Sequence, residues 1–295
     1  MAKFRKPIWL RILIWAVSSI LSIVAILGAI CGFLYIKYEI NVFEVANQIK
    51  ILNEDVDLDK LTPNAYSISD MESAKLVTDA GLEGLISYTE QNGYEITPDE
   101  VSGNMSAELR FTDKQIGAII DNLIISQEDI IVKLGDKDIN LNDYGFQVVQ
   151  VAFSNITETT TDFNVVIKID LDKVKEDMTE FPLNWIKKGI PNSLYFSATT
   201  TITKGSNAFE YTTEGKSLVI NNLTKEETDS IFKTINKFIQ LGNSNEFSKI
   251  IGDIFINVLI GNESNAGLAY SLKDAGATDF SFETDGTNNY FVIEM

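Results

Sequence analysis

Charge is missing from residues 12–36, a run of 25 positions bounded by Arg11 and Lys37. In a helix rising about 1.5 Å per residue, such a run exceeds the roughly 30 Å hydrocarbon core of a bilayer. The pattern then changes character. Val42, Val45, Ala46, Ile49 and Leu52 recur at helical spacing before the acidic run Glu54, Asp55, Asp57 and Asp59, which makes residues 37–60 a polar, partly helical neck. A helix is predicted over 70–91, opened by Ser69 with Glu72 as its capping box and closed near Gly93. It turns Leu76, Val77, Ala80, Leu85 and Ile86 toward a core, with Gly81 and Gly84 as weak points. A strand-then-helix unit follows over 107–125. Thr112 caps it, Gln115 completes the box, and Ile116, Ile119, Ile120 and Leu123 form the buried stripe.

The middle of the chain reads as strands. Segments 130–134, 146–154 and 163–170 are rich in β-branched and aromatic residues, with turns at Gly135-Asp136 and 158–162. A short amphipathic stretch over 181–188 stops at Gly189 and Pro191. Alternation resumes over 193–203, turns through 204–207, returns along 209–213 and continues as a further short strand over 217–220. Helices at 225–239 and 246–260 and closing strands near 280–284 and 290–294 complete the order. Phe111-Thr112-x-x-Gln115 is echoed by Leu223-Thr224-x-x-Glu227 at an offset of 112, a capped helix after a strand in both cases. The expected fold is α+β: a single amino-terminal transmembrane helix, then a domain over 61–295 of mixed, mainly antiparallel sheet with packed helices.

Charge around the span gives its direction. Lys3, Arg5, Lys6 and Arg11 precede it, whereas Lys37 is soon answered by Glu39 and Glu44, so residues 1–11 are a cytoplasmic tail and everything after the span is extracytoplasmic. Trp9, Trp15, Tyr35 and Tyr38 stand where amphipathic rings favour the membrane interface. A cleavable signal peptide has a shorter apolar region. Ile30, where a lipoprotein processing site needs a small residue, leaves Cys31 as a small apolar packing group within the span. The plasma membrane is therefore the expected location, with the chain crossing it once.

Composition narrows the chemistry. With no histidine, imidazole-based triads and His-ligated zinc, haem or iron are excluded, and a single cysteine forms no internal disulfide. The chain carries −18 overall and −22 beyond residue 36, a sign that repels phosphate and speaks against nucleic acid as a partner. A cysteine-free external domain suits a bacterial surface protein.

Several local patterns fall short of a site. Asp55-x-Asp57-x-Asp59 opens like a calcium loop but has Lys60 where the turn needs glycine and Tyr66 where a bidentate glutamate belongs; Asp136-x-Asp138-x-Asn140 fails likewise at Gln147. Ser230-x-x-Lys233 has the spacing of serine acyl-enzymes without a partner motif, and falls inside a helix. Glycine-rich phosphate loops are absent, so no catalytic residue, metal or cofactor is assigned. A carboxylate pair acting on a cell-wall polymer is the enzymatic alternative, because 42 acids leave room for one and its spacing is not visible in sequence.

Phe111-Thr112-Asp113-Lys114-Gln115-Ile116, the strands after it, and then Phe181-Pro182-Leu183 through Trp185-Ile186-Lys187-Lys188-Gly189-Ile190-Pro191 resemble, in that order, the YpmS-like proteins of Gram-positive bacteria over about residues 105–203. The resemblance implies an extracytoplasmic domain tethered by one amino-terminal segment and supplies no activity. Leu183, Trp185 and Ile186 beside Lys187 and Lys188 form a pattern suited to touching lipid or a partner. Strands 146–154 and 193–203 with helices around 116–123 and 231–239 suggest a curved sheet covered by helices, with a crevice for a lipid chain. The expected role is non-enzymatic binding of a lipid-like ligand or an envelope protein.

Overall fold

A computed structural model describes residues 42–98, 101, 103–125, 131–134, 137–140, 145–177, 191–235 and 242–295. The expected span at 12–36 and the contact residues Leu183, Trp185, Ile186, Lys187 and Lys188 lie outside the described residues. Among the described residues, no helix is long and apolar enough to cross a membrane. From the amino side, α1 (Val42–Leu52), the single turn α2 (Leu58–Leu61) and α3 (Ile68–Gly81) lead to the hairpin β1 (Ile86–Thr89) and β2 (Gly93–Ile96). Then come β3 (Leu109–Thr112), α4 (Asp113–Ile125), β4 (Ile131–Leu134), β5 (Lys137–Asn140), β6 (Gln147–Ser154), β7 (Thr160–Asp170), α5 (Asp172–Asp177), β8 (Ser193–Lys204) and β9 (Tyr211–Ile220). The carboxyl part holds α6 (Lys225–Ile235), α7 (Ser244–Leu259), the two-residue strands β10 (Gly261–Asn262) and β11 (Asn265–Ala266), α8 (Leu268–Ser271), β12 (Asp279–Thr284) and β13 (Asn289–Glu294). The architecture is α+β, and the described sheets are antiparallel.

The main sheet has the order β6-β7-β8-β9. Its period of two separates the faces. Val165, Ile167 and Ile169 of β7 stand opposite Ala198, Phe196 and Leu194 of β8, all buried, whereas Asp162, Asn164 and Lys168 take the other face with Thr201, Thr199 and Tyr195. α4 packs along β6 and α7 across β8 and β9. Glycine allows α7 its close approach: a Cβ at Gly252 falls 2.1 Å from Thr200 Oγ1, and one at Gly215, beside the bulge in β9, falls 1.8 Å from the Asn245 carbonyl. Ile251, Ile254, Phe255 and Leu259 fill the contact. Burying each such side chain contributes about 1.5–3 kcal/mol.

A second sheet, β12-β13-β3, leads directly into α4. Its apolar face carries Phe111, Phe280, Phe282 and Phe291 against Phe153 of β6, with the rings of Phe153 and Phe282 5.1 Å apart. The β8–β9 turn meets its edge strand. Lys204 donates to the Phe280 carbonyl at 2.5 Å and pairs with Asp279 at 2.8 Å, and Asp279 accepts the Phe209 N–H at 2.9 Å. That contact covers part of an edge that would otherwise offer unpaired main-chain groups.

Three element boundaries differ from the sequence reading, the first being β7, which begins at Thr160 inside the turn expected over 158–162 because residues 160–162 pair with 201–203 of β8. The helix expected over 70–91 is α3, capped by Ser67 and Asp70 instead of Ser69 and Glu72, and it ends at Gly81, where a Cβ would lie 2.6 Å from Leu109 Cδ2. Residues 86–96 turn back as β1–β2 through Asn92-Gly93, and Leu76 points to solvent, 71% exposed. The stretches 209–213 and 217–220 are one strand, β9, continuous through a bulge. Both predicted capping boxes on the echoed units are present: Thr112 with Gln115, and Thr224 with Glu227.

Candidate functional site at the neck junction

The strand β9 ends on Ile220, and Asn221 immediately takes a left-handed conformation, φ +49°, which asparagine tolerates better than most residues. Its side chain is buried and fully used. Oδ1 accepts the Tyr195 N–H at 2.7 Å, while Nδ2 donates to the Leu52 carbonyl at 2.9 Å and the Ser193 carbonyl at 3.4 Å. The main-chain N–H of Asn221 returns a bond to the Tyr195 carbonyl at 2.9 Å. One amide thus clasps the last residue of α1, the first residue of β8 and the end of β9. Leu52, 4% exposed, belongs to the hydrophobic core, so the neck is packed into the fold at this point. Asn222 adds bonds from Nδ2 to the carbonyls of Asp55 at 3.1 Å and Glu54 at 3.4 Å. The last carbonyl of α1, at Leu52, and the carbonyls of Glu54 and Asp55 just beyond it are satisfied by side chains 167–169 residues away.

From this clasp the chain crosses to the opposite edge of the main sheet. α2 is capped by Asp57, whose carboxylate accepts the Lys60 N–H at 3.2 Å. The Asn64 N–H then donates to Gln150 Oε1 at 2.8 Å, and Ala65 forms a bridge with the same residue on β6. Tyr66 lies against Gly117 of α4, where a Cβ would come within 3.0 Å of its ring. The Tyr66 hydroxyl bonds Asp121, which also accepts the Val148 N–H at 2.9 Å. Burial pushes the Asp121 carboxyl up, against the opposing pull of these two bonds, and raises the Tyr66 hydroxyl as well, reinforced by the Asp121 charge. The strap from 52 to 66 is pinned at both edges of one sheet.

Elsewhere the ionisable groups hold structure together. Burial lifts Asp113, at the start of α4, to about 7 even though its carboxylate accepts the Phe153 N–H at 2.9 Å and a bond from Asn289. Burial also pushes Asp162 up, but bonds from Lys216, Asn155 and Thr201 outweigh it and leave the carboxyl below its usual range. On the flank of β9, Lys249 donates to Asp253 at 2.7 Å and to the Thr213 hydroxyl at 3.0 Å, and that hydroxyl donates to Asp253. This cluster ties α7 to β9.

The sequence motifs fall as follows. Asp57 serves as a helix cap, Asp55 and Asp59 are exposed, and among the described residues no group of three or more acidic or sulfur side chains is placed to hold a metal ion. Asp136 lies outside the described residues; Ser230 and Lys233 sit within α6, beyond its first turn. The crevice candidates Ile116, Ile119, Ile120 and Ile231 are buried in the core. An open depression of about 290 Å³ beside the end of α3 is lined by Asp79, Leu82, Glu83, Asn104 and Ser106, a polar wall unlike a lipid crevice.

The described flanks of the expected contact stretch meet at the clasp. The Leu171 N–H donates to the Asn192 carbonyl at 2.8 Å and Lys175 Nζ to the Asn192 side chain at 2.5 Å, one residue before the Ser193 that shares Asn221 with Leu52. Asn221 itself was not singled out by the sequence reading. An Asn-Asn pair after an apolar strand signals a turn, but nothing local names Leu52 as its partner. No protein-family model, no curated protein and no solved structure matches the chain.

Proposed function

We propose that the chain is a single-pass membrane protein of the cell envelope whose extracytoplasmic domain acts without catalysis, by binding a lipid-like ligand or an envelope partner close to its anchor. Residues 12–36 are the span and residues 1–11 the cytoplasmic tail, on the strength of the uncharged run, the four basic residues before it and the likeness to tethered YpmS-like proteins. The observation that carries the binding reading is the meeting of Lys175, Asn192, Ser193, Asn221 and Leu52 at one end of the sheet. The described residues on either side of the contact stretch, 171–177 and 191–193, stand beside the point where the neck arrives. Leu183, Trp185, Ile186, Lys187 and Lys188 are the proposed contact residues, and a segment of this size gains useful affinity for lipid only when an anchor already holds it near. The engagement of Asp113 and Asp121 by main-chain N–H groups supports a structural role for the two carboxyls that burial displaces upward.

The test is to purify the whole chain in a mild detergent and analyse it by mass spectrometry. Bound lipid or polyisoprenoid is expected, and Trp185→Glu should lower its occupancy while leaving the thermal midpoint in place. A protein that carries no lipid and releases soluble fragments from peptidoglycan or another wall polymer would sink the binding reading in favour of a carboxylate-dependent hydrolase.

A further inference from the structure

The neck junction also bears on how the domain meets the bilayer, an inference that rests on the span proposed above. Antiparallel register places the start of β6, the end of β7, the start of β8 and the end of β9 together, since Gln147 pairs with Lys168, Asp170 with Ser193 and Ile220 with Phe196. Asn221 ties Leu52 to this end. The opposite end is the β8–β9 turn, where Gly205 donates its N–H to the Glu210 carbonyl at 2.7 Å and the Lys204 N–H bonds the Thr159 carbonyl at 2.8 Å. The 12 residues of β8 separate the two ends by about 40 Å at roughly 3.3 Å per residue.

Between the last residue of the span and Leu52 lies little chain. α1 has 11 residues, about 16 Å of helix, and residues 37–41 extend at most about 17 Å. That reach is shorter than the sheet is long. Glu54, Asp55, Asp170 and Asp172 stand at this same end, so the tether and not the net charge decides which end is held nearer the bilayer.

We propose that the domain stands end-on, with the sheet end formed by Leu52, Asp170, Ser193 and Asn221 facing the lipid surface and the β8–β9 turn facing away. The clasp at Asn221 and the pinning of Ala65 and Tyr66 on β6 and α4 make the strap one body with the sheet, so the short tether transmits orientation as well as position.

The experiment uses the whole chain in phosphatidylglycerol-containing vesicles, with Cys31→Ala to remove the native thiol. A donor fluorophore is attached through Asp172→Cys at the near end or Ser206→Cys in the far turn, both exposed positions, and an acceptor is carried on lipid headgroups. Donor emission is expected to fall more at 172 than at 206. A flexible Gly-Ser insertion of about twelve residues before Val42 should bring the two losses together, because the added chain of roughly 20 Å root-mean-square span lets the domain reorient. Equal losses without the insertion, or a larger loss at 206, overturn the orientation while leaving the anchor intact. Protein that fails to float with the vesicles and shows no loss at either position overturns the anchor, and the orientation with it.

Discussion

Asp113 begins α4 with its carboxylate turned into the protein, between the Phe153 N–H and the Asn289 side chain, and Asn289 in turn donates to the Phe153 carbonyl at 2.7 Å. Three elements, α4, β6 and β13, meet on these atoms. The helix amino terminus and both bonds favour the anion, yet burial is the larger effect and lifts the group to about 7. The linkage follows with a definite sign. A folded-state value above the unfolded value of about 3.9 means that the native protein holds more protons between those two pH values, so this group's contribution is complete below about 4 and is lost as pH rises through about 7. Asp113→Asn keeps an oxygen acceptor for Phe153 and removes the titration. Relative to that variant, the unmodified chain is expected to lose thermal stability between about pH 4 and pH 7 and to level off above that range, and calorimetric midpoints of the two that run parallel across this interval would disprove the assignment. Nothing in Phe-Thr-Asp-Lys-Gln marked this residue except its place after the cap Thr112, because burial by β6 and β13 is a tertiary fact.

The elements themselves were largely legible. Periods of two over 146–154, 163–170 and 193–203, and the boxes at Thr112 and Thr224, appear where hydrophobic pattern and capping chemistry agree. The start of α3 differs because Ser67 and Ser69 each have an acid three residues on, and its end differs because Gly81, expected only as a weak point, packs too close to Leu109 and Ala107 for any Cβ and ends the helix. α7 shows the same physics with the opposite outcome, since Gly252 sits inside a helix that holds. Alanine there would gain about 1 kcal/mol in helix propensity. Its Cβ, however, would fall 2.1 Å from Thr200 Oγ1 and 2.6 Å from Thr200 Cβ, and Thr200 is held by a bond to the Ser248 carbonyl at 3.0 Å with no exposed surface. Overpacking of this kind costs about 1–3 kcal/mol, so Gly252→Ala is expected to lower the urea midpoint at an unchanged m value. A midpoint equal to or above that of the parent would mean that α7 slides on β8 more freely than its packing implies.

On the scale of the whole molecule, strand order and long-range closure were beyond what local pattern could supply. The pairing of β13 with β3 joins residues about 180 positions apart, and the clasp joins Asn221 to Leu52 across 169. The sequence suggested a neck over 37–60 and a domain from 61, since an acidic, helix-spaced segment before the first long amphipathic helix reads as a spacer. The core already includes Leu52, with Ile51 packed against it and Gln48 buried one turn earlier. A chain beginning at Leu61 loses the burial of Leu52, about 1.5–3 kcal/mol, and about 1 kcal/mol for the bond from Asn221 to the Leu52 carbonyl, besides exposing the core surface that α1 covers. Together these amount to roughly 3 kcal/mol or more, which for a domain of about this size corresponds to a fall of roughly 6–12 °C in midpoint. A chain beginning at Val42 keeps all of these contacts and is expected to be monodisperse. Comparing the two by thermal unfolding and size-exclusion chromatography therefore decides whether the neck is a spacer or part of the fold: equal midpoints would return it to a spacer, whereas a lower midpoint with association of the shorter chain places the folded boundary before Leu52.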